Sequence, residues 1–133
     1  MPVQIIWDDA EQTTIRFEMT GKWSWDEFYG SYENIWDEVT KVGHRVDAIA
    51  DVTQTTHVPA GSISRVRSYA SKRPENTGII VFAGANSYLT AIMQTVQNLF
   101  KTVMQRSISI RFATTLDEAR AIIAEARAKD VKI

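Results

Sequence analysis

Two nearly continuous apolar runs constrain the fold of this chain more than any other feature of its sequence. Val46–Val52 and Ile79–Phe82 both have the length of a β-strand, and the second contains no polar residue. A strand that is apolar on both sides must be covered on both sides, which is typical of mostly parallel sheets flanked by helices. The two runs therefore predict strands in the interior of such a sheet.

Three further segments have the pattern of strands. Val3–Trp7 is a short apolar run, Thr13–Met19 alternates with a period of two, and Ile108–Phe112 lies near the end of the chain. Alternation with β-branched and aromatic residues is characteristic of strands. The turn-like segment Asp8–Glu11 joins the first two, so we expect them to run antiparallel, and we expect Gly21 to end the second strand.

Capping boxes mark the start of two predicted helices. Ser24 with Glu27 and Thr115 with Glu118 each have the spacing that satisfies free backbone N–H groups at a helix start. The first helix carries one apolar stripe and is expected to end at Gly43. The last helix is expected to close the chain.

Two more helices are predicted between the later strands. Ser62 is the candidate cap of one helix, which follows a polar loop, Thr53–Pro59, and ends before Pro74. Ser87–Gln105 is the other. The order β-β-α-β-α-β-α-β-α predicts an α/β fold: a mostly parallel five-stranded sheet with an antiparallel first strand and four helices on its faces. All 133 residues fit a single domain.

Composition excludes several classes of function. The formal net charge of −1 argues against nucleic-acid binding, which needs a basic face. The absence of cysteine excludes disulfides and thiolate chemistry. The N-terminus has no signal-peptide pattern and no apolar run has membrane-spanning length, so we expect a cytoplasmic protein without membrane insertion.

The sequence offers little that indicates catalysis. Neither of the common glycine-rich phosphate loops is present, and the nearest approach, Gly84–Ser87, is either an anion-binding turn or an ordinary strand-to-helix connection. His44 and His57 lie in predicted loops without the clustered ligands that metals require. Ser62, His57 and Asp51 could form a triad, but the serine lacks the Gly-x-Ser-x-Gly turn of a nucleophile. We therefore expect no enzyme activity, no metal and no cofactor.

Two clusters are compatible with binding. A basic group in the second predicted helix could meet an acidic partner or a phosphorylated ligand, or it could be a solvated helix face. An aromatic stripe in the first helix could line a ligand pocket, although core packing explains the same spacing. The basic group consists of Arg65, Arg67, Lys72 and Arg73, and the stripe consists of Trp25, Phe28, Tyr32 and Trp36.

The element order and three segments resemble the STAS domain, the fold of bacterial anti-sigma-factor antagonists. Val46–Thr53 resembles the family's "Asp-Leu-Ser" strand end, Thr115–Ala119 its closing helix start, and Gly21–Phe28 the "G-x-W-T-W-x-E-F" stretch of some relatives. The resemblance extends from Val3 to about Ala128. It is strongest to the SpoIIAA-like branch, which is grouped with CRAL-TRIO lipid-transfer proteins, and it implies one STAS-like domain over residues 1–133.

One departure from the family bears on function. Its antagonists carry a phosphorylatable serine where this chain has Ala60 or Gly61, and Ser62 is shifted from that position. The resemblance therefore implies a non-catalytic protein-interaction or regulatory module without the usual phosphorylation site. The alternative is a carrier or sensor of a small apolar, lipid-like ligand. The residues expected to bind the partner or ligand are Asp51, Thr53, His57, Ser62 and Arg65.

The third predicted helix also suggests self-association. Lys101 is the only charged residue between Gly84 and Gln105. Neutral, small side chains are common at interfaces, where Lys and Glu are depleted, so a two-fold homodimer could bury this face. A neutral but exposed helix is the other interpretation. The proposed interface residues are Ala91, Gln94, Thr95, Asn98 and Thr102.

Overall fold

The computed structural model describes residues 3–32, 35–57, 74–84, 91, 94, 98 and 110–130. Five strands form one sheet in the order β1-β2-β3-β4-β5. The strands are β1 Val3–Trp7, β2 Thr14–Lys22, β3 Val46–His57, β4 Thr77–Ala83 and β5 Ile110–Ala113. β1 is antiparallel to β2, and the other neighbouring pairs are parallel. The predicted α/β class and the mixed five-stranded sheet are confirmed.

Three helices have their bounds within the described residues: α1 Trp25–Tyr32, α2 Ile35–Val42 and α3 Leu116–Asp130. The four helices of the prediction are therefore not confirmed. The first predicted helix corresponds to α1 and α2, and residues 33–34 between them lie outside the described part. The predicted helix after Ser62 also lies outside it. Of the predicted helix Ser87–Gln105, the structure describes three positions, and all three are helical.

The predicted capping box at Ser24 forms, and the one at Thr115 forms in part. At α1, the Ser24 hydroxyl accepts a hydrogen bond from the Glu27 N–H at 3.2 Å, and the Glu27 carboxylate accepts one from the Ser24 N–H at 3.1 Å. At α3, the Thr115 hydroxyl accepts the Glu118 N–H at 3.1 Å. The Glu118 carboxylate accepts the N–H of Thr114 at 3.3 Å, one residue before the expected donor. These bonds fix the helix starts next to the ends of β2 and β5.

Two predicted boundaries are wrong because β2 and β3 pair beyond them. Gly21 does not end β2 but lies within it, opposite Thr55, and the predicted loop from Thr53 is strand as far as His57. The register shifts on either side of this pair, and Gly21 has a φ of 63°, which glycine adopts without strain. The β-branched threonines of this segment favour strand when a neighbour supplies backbone partners.

The apolar core lies on both faces of the sheet. One face packs against α1 and α2, and the other packs against α3. Alternation along β3 points Ala48 and Ala50 toward the first face and Ile49 toward the second. The buried side chains of the first face include Val3, Ile15, Phe17, Met19, Trp23, Phe28, Ile35, Val39, Val46 and Val52, and those of the second include Ile79, Val81, Ala83, Ala113, Ala119 and Ile123. Within the described ranges, no helix combines the length and hydropathy required to cross a bilayer.

Candidate functional site

The four parallel strands bring their carboxyl ends to one edge of the sheet, which we call the carboxyl edge. Open α/β sheets usually bind ligands at this edge. Here β3 continues well past its last pairing with β4, at Asp51 and Ala83, while remaining paired with β2. Thr20–Lys22 of β2 and Val52–His57 of β3 thus form a two-stranded projection, the β2–β3 ribbon.

Side-chain hydrogen bonds fix the base of the ribbon. The Asp51 carboxylate accepts bonds from the Thr53 backbone N–H at 3.0 Å and from the Thr53 hydroxyl at 2.6 Å. The Thr55 hydroxyl donates to the carbonyl of Met19 on the neighbouring strand at 3.0 Å. Thr53 and Gln54 are exposed. The ribbon therefore presents an ordered surface of hydroxyl and amide groups.

Gly84 allows the end of β4 to approach this surface closely. Its φ is 81°, and a Cβ built there would lie 2.7 Å from the Thr53 Cγ2 and 2.8 Å from the Thr53 Cα. Its N–H donates to the carbonyl of Ala113 at 2.8 Å, which ties β4 to β5. The glycine is required for packing against the ribbon, whereas residues 85–87 of the suggested anion-binding turn lie outside the described part.

The structure brings some of the predicted site residues together and leaves others apart. Asp51 and Thr53 are in contact, but His57 lies six residues beyond Asp51, about 20 Å away at the rise of an extended strand. This separation along the backbone does not support the suggested triad. The prediction that His57 lies in a loop is also wrong, since it ends β3. Ser62 and Arg65 lie outside the described residues, as does the basic group.

His44 has a structural contact. It lies in a bend, is exposed as expected, and its Nε2 is 2.8 Å from the carbonyl oxygen of Gln12 in the β1–β2 turn. In the described part of the chain, no group of three or more His, Cys, Asp or Glu residues is arranged to hold a metal ion.

Asp47 is the charged residue that the described part of the chain buries completely, and it lies at the opposite, amino edge of the sheet. Asp47 is 0% exposed, and its carboxylate accepts the Ile79 N–H at 2.8 Å, the Arg45 Nε at 3.0 Å and the Arg127 Nε at 2.6 Å. A Cβ at Gly78 would lie 2.0 Å from the Asp47 Oδ1, so only glycine leaves room for the carboxylate. Because its partners occupy both oxygens, Asp47 holds α3 to the sheet and is not open to a substrate.

A second ion pair at the amino edge joins α3 to the β1–β2 turn. Arg120 donates to the two carboxylate oxygens of Asp8 at 2.9 and 3.0 Å, and Arg16 also bonds Asp8. The hydrogen bond from Arg120 lowers the pKa of Asp8 although burial opposes this, and the same bond raises the pKa of Arg120. Burial also opposes ionisation of Asp9, but hydrogen bonds from Thr13 and Thr14 lower its pKa overall. These shifted groups hold the fold together and do not surround an open site.

The aromatic residues of α1 and α2 pack with those of β2. The ring centroids of Trp23 and Trp25 are 4.9 Å apart, those of Trp25 and Phe28 are 5.5 Å apart, and those of Phe17 and Phe28 are 5.8 Å apart. This favours the interpretation of the stripe as core packing, with Trp36 also beside Phe17. Trp23, which the helical spacing did not include, is 7% exposed, and its buried Nε1–H has no hydrogen-bond acceptor among the described residues.

The predicted dimer face is described at three positions. Ala91, Gln94 and Asn98 are helical and exposed, and their spacing places them on one side of a helix. Thr95 and Thr102 lie outside the described residues. Exposure of these three residues in a single chain does not test self-association, so the homodimer stays a prediction.

Comparisons of the chain with protein-family models, curated proteins and solved structures find no match.

Proposed function

We propose that this chain is a non-catalytic, STAS-like regulatory module that binds a protein partner through the β2–β3 ribbon. The observation that carries the proposal is the extension of β3 to His57, beyond its last pairing with β4. An exposed ribbon with fixed backbone geometry offers hydrogen-bonding groups to a partner without having to become ordered first. The proposal includes a cytoplasmic location, which the lack of cysteine favours.

The distribution of charge supports binding over catalysis. General acid–base chemistry needs a titratable group within hydrogen-bonding reach of a substrate. Among the described groups with shifted pKa values, Asp8 and Arg120 are bonded to each other, and Asp9 accepts hydrogen bonds from Thr13 and Thr14 at the amino edge. The ribbon carries neutral Thr53 and Gln54 at its exposed base. This arrangement suits recognition of a partner surface.

Site-specific photocrosslinking tests this proposal. A photoreactive phenylalanine analogue replaces Gln54 on the ribbon, and in a control variant it replaces Glu125, an exposed residue of α3. After irradiation in cells that normally express the protein, we expect one discrete protein adduct at position 54 and none at position 125. The proposal is wrong if position 54 gives no adduct, or if both positions give the same products.

A second candidate function is that of a carrier or sensor of a small apolar ligand. The observation in its favour is the buried Trp23 Nε1–H, because leaving a buried donor without an acceptor costs about 1–3 kcal/mol. A ligand carbonyl or carboxylate could supply that acceptor beside the aromatic rings. Titration with a fatty acid, followed by tryptophan fluorescence, tests this candidate. A saturable change that Trp23→Phe abolishes would support it, and an unchanged spectrum would count against it.

A further inference from the structure

Among the described residues, α3 leaves β1 and much of β2 uncovered on its side of the sheet. α1 and α2, which connect the parallel strands β2 and β3, lie on one face of the sheet. On the other face, α3 packs mainly against β3, β4 and β5. The side chains of β1 and β2 that point to this second face therefore form what we call the open face. It comprises Gln4, Ile6, Arg16, Glu18 and Thr20, with Asp51 of the adjacent strand, while Thr14 on the same side is covered by Arg127.

The open face has an apolar and a polar part. Ile6 is 37% exposed and is the large hydrophobic side chain that the described residues leave most open to solvent. Gln4 is exposed on the same side of β1, Arg16 lies opposite Ile6 on β2, and Thr20 is exposed further along β2. Thr20 lies opposite Gln54, so the open face continues without a break into the β2–β3 ribbon. A partner bound to the ribbon would extend over this surface.

The charges of the open face indicate what kind of partner fits it. Glu18 and Asp51 lie directly opposite each other on β2 and β3, and alternation places both side chains on the open face. Like charges in this arrangement repel. Arg16 offsets these charges only in part, because its Nε forms an ion pair with Glu18 at 3.6 Å while the same guanidinium is also bonded to Asp8. No described side chain donates a hydrogen bond to Glu18.

We propose that the open face binds a basic amphipathic helix of the protein partner, with Lys or Arg against Glu18 and Asp51 and an apolar residue over Ile6. This inference rests on the proposed function, since it assigns the chemistry of the same partner. A cation placed between the two carboxylates relieves their repulsion, and an apolar side chain removes Ile6 from water.

A synthetic helix can serve as the probe. The full chain, labelled with ¹⁵N, is titrated with an 18-residue amphipathic Lys/Leu peptide and with its Glu/Leu counterpart. We expect the Lys/Leu peptide to shift the amide signals of β1 and β2, including Ile6, and we expect no shifts there from the Glu/Leu peptide. Shifts confined to helix surfaces, or equal shifts with both peptides, would overturn the inference.

Two matched variants distinguish binding at Glu18 and Asp51 from nonspecific electrostatic attraction between the protein and the basic peptide. Glu18→Gln with Asp51→Asn removes both charges but keeps oxygen acceptors, so the contact from Thr53 can persist. Glu38→Gln with Glu125→Gln makes the same change of net charge at exposed helix positions. We expect affinity for the Lys/Leu peptide to fall about fivefold in the first variant and to stay unchanged in the second. Equal affinity in the two variants contradicts the inference.

The two proposals fail in different ways. If the photoreactive group at position 54 captures a partner whose binding is unaffected by Glu18→Gln with Asp51→Asn, the basic helix is wrong and the regulatory module stands. If no partner is captured at position 54, the proposed function itself is wrong.

Discussion

Replacing Arg127 with methionine tests whether the buried Asp47 carboxylate anchors α3. Asp47 is 0% exposed, and the side chain of Arg127 is 30% exposed. The variant loses the bond to Asp47 at 2.6 Å and the bond to the Thr14 hydroxyl at 2.8 Å. Breaking a buried ion pair typically costs about 3–5 kcal/mol. Arg45 and the Ile79 N–H still hold Asp47, and water reaches Arg127, so we expect a loss of about 2–3 kcal/mol.

Urea unfolding followed by circular dichroism measures this free energy, with Arg120→Met as the matched control. Arg120 also joins α3 to an aspartate, but its side chain is 43% exposed, so its removal should cost about 1 kcal/mol or less. The double variant Asp47→Leu with Arg127→Met should recover part of the free energy of unfolding that Arg127→Met loses. It contains no buried carboxylate that lacks its Arg127 ion pair. Equal losses for Arg127→Met and Arg120→Met, or a loss below about 0.5 kcal/mol for Arg127→Met, would refute the reasoning.

Four further predictions follow from other parts of the molecule. Gly84→Ala should cost about 1–3 kcal/mol in urea unfolding, because of its φ of 81° and the close contact with β3; an unchanged midpoint would contradict this. The stability difference between the parent and Asp8→Asn should be constant at neutral pH. It should shrink below about pH 3.8, because the lowered pKa of Asp8 means that its contribution is lost as pH falls through the folded-state pKa; a difference that persists at pH 2 would contradict it. Asn98→Glu with Thr102→Glu should dissociate a homodimer in sedimentation, and a monomeric parent at high concentration would exclude the interface. Mass spectrometry of protein from cells should find no stoichiometric phosphate on Ser62, whereas its presence would restore a phosphorylation switch.

Local sequence patterns predicted the parts of the fold that depend on local interactions. Val46–Val52 and Ile79–Phe82 lie within buried strands, because an apolar run of strand length is most stable where both sides of the sheet are covered. The helix starts at Ser24 and Thr115 were predicted because each capping bond joins residues three apart, although the Glu118 carboxylate bonds Thr114 and not Thr115. The antiparallel pairing of β1 with β2 followed from the short connection between them.

Features that depend on contacts between residues far apart in the sequence could not be predicted from local sequence patterns. Polar Thr53–His57 indicated a loop, and it became strand because β2 supplied a partner more than 30 residues away in sequence. Asp47 and Arg127 are separated by 80 residues, and Asp8 and Arg120 by 112. The available signals were an aspartate inside an apolar strand and arginines on an otherwise ordinary helix. Asp51 and Thr53 are hydrogen-bonded to each other, and the prediction that they and His57 bind a partner stays a prediction.

Native mass spectrometry of the protein isolated from its own cells tests the central claim most directly. A regulatory module that works through protein contacts should be recovered as the 15.0 kDa chain, or a multiple of it, with a partner protein attached and without a small-molecule adduct. The chain carrying a stoichiometric apolar molecule, with no protein attached, would contradict the proposed function and establish the carrier in its place.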